Sequence, residues 1–525
     1  MRSRGAPALL SLLVSLLALS ALPGSAGAAI PARTQGGQPT TPRPVYMAPR
    51  VNTGDWPTYG HDVSRTNFNP DETLINILNV SQLVQRWQGS VPMASTTTSS
   101  SPSVSGGRVF VGASVTSGNN FFAFDAVNGG LPQWGANLAH NGCLGVGIGS
   151  SSAVSGTIVT VGGSDSAFYA LDTETGGIIW RHPITDLGTS AWPWASPLLA
   201  YDQVYLGLAS CADNPSVRGE VRAVNIYNGT PTASKTFVPS DRRGAGVWNS
   251  PALSPDGTIL AVATGEDYGG YNGPYNRAIV ALDPITLDIL GSDQRGATGS
   301  DQDYGTTPVI FHDSTGRLMV GANHKNGTFY AFDLHNVSAG PVWSRATGTS
   351  VGMMPAYDPT YMDGGTLFIA GGSRIMAVDP ATGTDRWPGV TVGTMHGNMA
   401  LANHLIFANA GSAGMRILDE STGSIVRTII PSGAGSANSG IAVSNGFIYW
   451  LSGSFLNAWS LPGTPNTPTD TPTITPTSPP TDTPTITPTS PPTDTPPITP
   501  PNQPTGTPTT TPTNTPTDLP PGAST

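Results

Sequence analysis

The sequence predicts an all-β fold, an eight-bladed β-propeller followed by a disordered Thr/Pro-rich stalk, and three observations carry that reading. Gly 64 and Pro 50 make up more than a fifth of the 525 residues, which disfavours helix interiors. Only 11% of residues are charged and the net charge is -10, which argues against helical bundles, coiled coils and charge-driven nucleic-acid binders. A strand–turn phrase recurs every 40 to 58 residues through the middle of the chain.

The chain divides into four parts. Residues 1–28 read as a signal peptide: Arg2 and Arg4 precede an apolar stretch from Ala8 to Leu22, and Ala26-Gly-Ala28 has the small-x-small form of a cleavage site. The alternative is an uncleaved anchor, but the apolar run is shorter than the roughly 20 residues a bilayer requires. A secreted or extracytoplasmic protein, free or held at the cell surface, is expected, with no membrane span in the mature chain. Residues 29–54 read as a linker, 55–462 as the propeller and 463–525 as the stalk. From Gly463 to Thr525 there are 20 prolines in 63 residues, four aspartates and no basic residue. A twelve-residue unit at Thr469–Pro480 repeats at Thr481–Pro492. Such a segment has nothing to pack and reads as an extended stalk or as a plain disordered tail.

The repeat reads Phe121-Phe-Ala-Phe-Asp125 with Gly129 and Trp134, then Phe168-Tyr-Ala-Leu-Asp172 with Gly176 and Trp180. Further copies end at Asn225, Asp283, Asp333 (Trp343), Asp379 (Gly383, Trp387) and Asp419 (Gly423), and a partial one closes at Ser460. The successive spacings are 47, 53, 58, 50, 46, 40 and 41 residues. Alternating apolar residues make a strand, Asp braces a turn with its side chain, and Trp opens the next strand. Another strand pair precedes most copies, as at Arg108–Gly112 and Ile158–Gly162, so each unit has the size of a four-stranded blade. Eight copies give eight blades, or seven if the Asn225 copy is an insertion. The last copy lacks a fourth strand, and Leu83–Trp87 supplies one from the N-terminal side, which closes the ring and removes sheet edges.

These phrases resemble the pyrroloquinoline quinone (PQQ) propeller repeat, and Trp56-Pro-Thr-Tyr-Gly-His61 to Asn69-Pro70 looks like the opening of the polyvinyl-alcohol-dehydrogenase-like branch. The repeated Asp, Gly and Trp are blade-docking residues in either an enzyme or a scaffold. Function therefore rests on residues that interrupt the repeat. Trp248 stands where the family has one face of its quinone sandwich. Glu266, eighteen residues on, stands where an Asn ligates calcium; a Glu also suits that hard cation. Asp303, in Asp301-Gln-Asp303-Tyr-Gly305, matches the catalytic aspartate, and Lys325, in Lys325-Asn-Gly327, matches the basic quinone contact. Asp213 or Asn214 matches a further acidic calcium ligand. The resemblance thus implies Asp303 as base and metal ligand, Glu266 and Asp213 as metal ligands, and Trp248 and Lys325 as cofactor-binding residues. For each, the competing reading is structural: a core Trp, a turn-capping Asp, a solvated Lys.

Two departures matter. The family often carries an adjacent Cys pair and an Arg five residues after it; here a single Cys143 remains and Ile148 takes the Arg position. No Cys-x-x-Cys-His is present, so a fused haem is not expected, and electrons would leave to a separate acceptor protein. Cys143 and Cys211 lie in corresponding loops two repeats apart, and whether they pair stays open. Two functions follow from the resemblance: a quinoprotein dehydrogenase oxidising a small-molecule or polymer alcohol with PQQ and calcium, or a non-catalytic extracellular binding or scaffold propeller displayed on the stalk. His140, His324, His396 and His404 are assigned to loops.

Overall fold

The computed structural model describes residues 46–464 apart from 47, 51, 94–99, 141–145, 185, 188–189, 213–215, 267, 298–300, 349–353, 396, 434 and 436–438. The expected signal peptide and stalk lie outside the described residues. Contacts divide the chain into Met1–Thr471 and Pro472–Thr525, and every described residue belongs to the first unit.

Eight antiparallel sheets form the propeller. Blades 1 and 2 are built from strands Ser103–Ser105 through Pro132–Ala136 and Ala153–Ser155 through Ile178–Pro183; blades 4 to 7 repeat the plan from Ala252–Leu253, Val309–His312, Ala356–Asp358 and Ala400–Ala402. Blade 8 combines Ile441–Ser444, Phe447–Ser452 and Phe455–Ser460 with the N-terminal strand Val84–Ser90, which pairs with Phe455–Ser460. The predicted closure is therefore present, with its strand running three residues past the expected Trp87. Eight blades, not seven, settle the Asn225 copy as a true blade: Glu220–Asn225 is the third strand of blade 3.

The Asp–Gly–Trp phrase docks a blade on the next at five of the eight junctions. Trp87, Trp134, Trp180, Trp343 and Trp387 donate Nε1–H to the carbonyls of Ala126, Thr173, Ile226, Pro380 and Glu420 at 2.7–3.0 Å. Each carbonyl belongs to the residue after the repeat Asp or Asn of the following blade, so the turn that the Asp braces also presents the acceptor. The same turn brings a glycine against the indole. A Cβ on Gly176, Gly229, Gly383 or Gly423 would lie 2.5–2.8 Å from the ring, and all four sit at φ of 69–71°. Only glycine meets both demands at once.

The segment from Trp56 to Asn69 crosses one end of the ring and touches every blade. Trp56 bridges Val104, and Pro57, Val63, Ser64, Thr66 and Asn67 offer carbonyls to Val154, Leu253, Ile310, Tyr357 and Leu401 at 2.7–2.9 Å. Asn69 Nδ2 reaches Val443 O at 2.8 Å, and Arg65 Nη2 reaches Pro197 O at 3.1 Å. Arg65 is fully buried and spends its other donors on Pro251 O, Thr58 Oγ1 and Tyr59 O. Burial lowers its pKa to about 10, which leaves the guanidinium charged at neutral pH. The opening motif is thus a belt that clasps the innermost strands. Closer to the opposite end, loop hydroxyls link neighbouring blades: Gly440 N to Ser101, then Ser101, Ser151, Ser196 and Ser250 N to the hydroxyls of Ser151, Ser196, Ser250 and Thr307.

Candidate active site between blades 3, 4 and 5

Blade 3 departs from the four-strand plan. Its second strand, Gln203–Ser210, runs eight residues, and Ala191–Trp192 pairs with its far end beyond Leu198–Ala200. This extension lifts Cys211 above the sheet, where its N–H donates to Ser190 O at 2.6 Å. Cys211, the loops entering blades 4 and 5, and the loops after the second strands of those blades enclose a chamber of about 450 Å³. Trp194, Trp248, Glu266, Asp301, Asp303 and Lys325 line it.

Asp303 and Lys325 meet because the loop before blade 5 zips onto that blade's second strand. Lys325 N donates to Asp303 O and Gly305 N to Asn323 O, both at 2.8 Å. Asp303 is 4% exposed. Its Oδ2 accepts from Trp248 Nε1 at 2.9 Å, and its Oδ1 faces Lys325 Nζ at 2.7 Å. Lys325 also pairs with the exposed Asp301 and lies 4.9 Å from the centre of the Trp248 ring, within cation–π range. Burial pushes the Asp303 pKa above its ordinary value, although Lys325 and the Trp248 N–H pull it down. Burial pulls Lys325 the other way, but Asp303 and Asp301 outweigh it and its pKa ends raised. Desolvation thus exceeds partnering at the carboxylate, which keeps it a better proton acceptor than a solvated aspartate.

Glu266 accepts from Gln302 N at 3.3 Å, so the blade 4 loop is tied to the Asp301–Asp303 loop. Gly246 and Gly265 let the two loops of blade 4 approach each other: Gly265 N donates to Gly246 O at 2.7 Å, and a Cβ on Gly265 would lie 3.0 Å from the Gly246 backbone. Four of the residues singled out by the sequence, Trp248, Glu266, Asp303 and Lys325, therefore line one chamber. Asp213 and Asn214 lie outside the described residues, although Ala212 and Ser216 beside them line the same wall. Cys211 is disulfide-bonded, and Cys143 lies outside the described residues.

The remaining assignments are mixed. Ile148 is fully buried in the core shared by blades 1 and 2 and is not among the chamber's lining residues, so no cation stands at the position where the family has Arg. His324 is not a loop residue: it ends strand Leu318–His324, fully buried against Tyr304 with ring centres 5.0 Å apart. Its place follows from the extra length of that strand, which also delivers Lys325. His396 lies outside the described residues. Asp301 and Trp194 were not predicted as site residues. The Asp-x-Asp phrase carried the signal for Asp301, although the backbone there turns, with Asp301 at φ 60°.

Three carboxylates face one ammonium in this chamber. That set suits a hard divalent cation, and it would repel a bare polycarboxylate unless such a cation came with it. The Trp248 ring supplies a flat apolar surface. A quinone of the PQQ type with calcium would fit the donors present: Glu266 and Asp303 could hold the ion, and Trp248 and Lys325 the ring.

The comparisons with known proteins agree with the blades. The family described as outer membrane protein assembly factor BamB, a PQQ-repeat family, matches residues 82–192 and 325–460. Those residues are similar to the propeller repeats of that family. A quinohemoprotein alcohol dehydrogenase of Comamonas testosteroni is 27% identical over 338 residues, 54% of this chain and 46% of that protein. The chain thus aligns with about half the length of that relative. The crystal structure of quinohemoprotein alcohol dehydrogenase from Comamonas testosteroni superposes with a TM-score of 0.66 at 18% identity, covering 79% of this chain and 82% of that one. A europium-containing methanol dehydrogenase superposes at 0.64 with 14% identity over 78% and 98%. The fold is that of quinoprotein dehydrogenases. Among the described residues no helix is long and apolar enough to cross a membrane.

Proposed function

We propose that this propeller is an extracytoplasmic quinoprotein dehydrogenase that oxidises an alcohol, small or polymeric, with PQQ and calcium. One observation carries the reading: a buried carboxylate, Asp303, held between an indole N–H and an ammonium inside a chamber rich in acidic groups. When bound, the quinone supplies the two-electron acceptor for the hydride. The rest falls to the chain. Asp303 is assigned as the base that takes the hydroxyl proton of the alcohol, with Trp248 holding its Oδ2 and Lys325 its Oδ1. Lys325 offers a cation that steadies developing negative charge, and its link to Asp301 keeps it at the chamber mouth. Glu266, with Asp213 and Asp303, is assigned to calcium. Electrons pass to a separate acceptor protein.

The test is alcohol-dependent reduction of an artificial dye by protein loaded with PQQ and calcium. Turnover that disappears when calcium is chelated supports the reading, and dye reduction no faster than in the absence of protein refutes it. The buried Ile148 favours the second reading, a propeller that binds without catalysis, because a charge-assisted contact to an acidic cofactor is missing there. Under that reading the quinone is not retained at all.

A further inference from the structure

A second cluster of ionisable groups sits where blade 6 meets blade 7, among turns of the face that carries the Asp-braced loops. Asp358 ends the innermost strand of blade 6, His404 closes the two-residue turn after the innermost strand of blade 7, and Glu420 follows that blade's third strand. One ligand atom from each lies within 4.8 Å of the others. The backbone holds them together: Glu420 N donates to His404 O at 3.0 Å, and Glu420 O accepts from Trp387 Nε1 at 2.8 Å.

The satisfaction of these groups is lopsided. Asp358 and Glu420 are both fully buried. Asp358 Oδ1 accepts from Thr360 N and Oγ1, but no N–H or O–H donates to Asp358 Oδ2 or to either oxygen of Glu420, whose contacts are the Asp358 carboxyl and His404 Nδ1 at 3.5 Å. Two buried carboxylates side by side need a shared proton or a cation between them. Arg386, on a neighbouring strand, is committed to Asp379 at 3.4 Å and Asp363 O at 3.1 Å. Burial, with the Asp358 charge and hydrogen bond adding to it, pushes the Glu420 pKa up to about 10, the direction expected where a counter-charge is lacking. His404 is half-exposed on the outer side of the cluster, edged by Tyr361 at 5.5 Å, and opens the group to solvent.

We propose that Asp358, His404 and Glu420 form a divalent transition-metal site, for zinc in the first instance, that staples blade 6 to blade 7. One imidazole nitrogen and two carboxylate oxygens are a zinc donor set, with a fourth position left for water. Ligand atoms at about 2.0 Å from a tetrahedral zinc lie about 3.3 Å from each other. His404 Nδ1 and Glu420 Oε2 are 3.5 Å apart. Calcium, which prefers six or more oxygens, is the poorer match. The site stands apart from the chamber, whose residues belong to blades 3 to 5.

The test counts zinc. Protein incubated with zinc chloride and desalted is measured for metal beside the variants His404→Ala and Glu420→Gln, and beside Glu266→Gln, which leaves this cluster intact. The expected result is one more zinc per chain in wild type and Glu266→Gln than in the other two. Added zinc should also raise Tm of wild type by about 4 °C and leave His404→Ala unmoved. His404 is a half-exposed turn residue, so its variant reports even where Glu420→Gln fails to fold. Equal zinc in all four proteins, or no zinc in any, overturns the proposal. A Glu420→Gln chain as stable as wild type with no zinc effect in either would show that the pair shares a proton instead.

Discussion

Replacing Asp303 by Asn separates catalysis from folding, and the structure gives the size of both effects. The amide keeps the shape of the side chain, and its oxygen still accepts the Trp248 N–H seen at 2.9 Å. Its NH2 then points at Lys325 Nζ, where the carboxylate oxygen stood at 2.7 Å. Lys325 loses a buried partner and keeps Asp301, whose side chain is 75% exposed and therefore a weak one. Against that loss stands a gain. The Asp303 pKa is raised because burial outweighs both partners, so the folded protein spends free energy to keep that carboxylate ionised. The two effects oppose each other, and the net change in stability should be on the order of 1 kcal/mol in either direction. Activity has no such offset, because an amide cannot accept the hydroxyl proton. The rate of alcohol-dependent dye reduction should fall by about 10²–10⁴-fold, read with quinone and calcium saturating, while urea unfolding of the variant stays close to wild type. A variant within threefold of wild-type activity would refute the assignment of the base. Loss of activity together with several kcal/mol of stability would refute the argument that the ion pair and the burial cost nearly cancel.

Other consequences follow from buried groups elsewhere. Burial lowers the His324 pKa from 6.5 to about 4, so the unfolded chain takes up a proton in that interval while the folded chain does not. Stability is then full above pH 6.5 and falls by about 3 kcal/mol as pH drops toward 4, and chemical denaturation across that range should show a His324→Gln variant losing less. Arg65→Met should cost about 3–5 kcal/mol in thermal unfolding, because it strands the carbonyls of Tyr59, Pro197 and Pro251 without a donor. An unchanged Tm would remove the belt from the account. Gly383→Ala places a Cβ 2.5 Å from Trp343 at φ +70, whereas Gly106→Ala, at φ +58, meets nothing within 4 Å. Backbone strain alone costs each about 1 kcal/mol, so calorimetry should find Gly383→Ala worse than Gly106→Ala by at least about another 1 kcal/mol.

The blades were legible in the sequence because their signals are local and repeated. Asp braces its own turn, a Gly stands four residues after that Asp or Asn in five copies and a Trp eight to ten residues after it in four, so the copies reinforce one reading. The four chamber residues Trp248, Glu266, Asp303 and Lys325 were legible for the opposite reason, as interruptions of that repeat. Apart from the closure of blade 8 by the N-terminal strand, pairings between distant segments were not legible. Nothing near Arg65 in the sequence marks Pro197 and Pro251 as its acceptors, 132 and 186 residues away. His324 was taken for a loop residue because the length of its strand is set by pairing with Thr328–Asp333, not by composition. The Asp358–His404–Glu420 group joins two blades, and its members lie 46 and 16 residues apart, spacings set by blade geometry and matching no ligand motif.

Equilibrium dialysis of the purified protein against PQQ, with and without calcium, tests the central claim most directly. The account predicts one equivalent of quinone retained at micromolar concentration with calcium present, and retention lost on chelation or in Glu266→Gln. Free passage of the quinone in both conditions would contradict it and leave a propeller that binds something else.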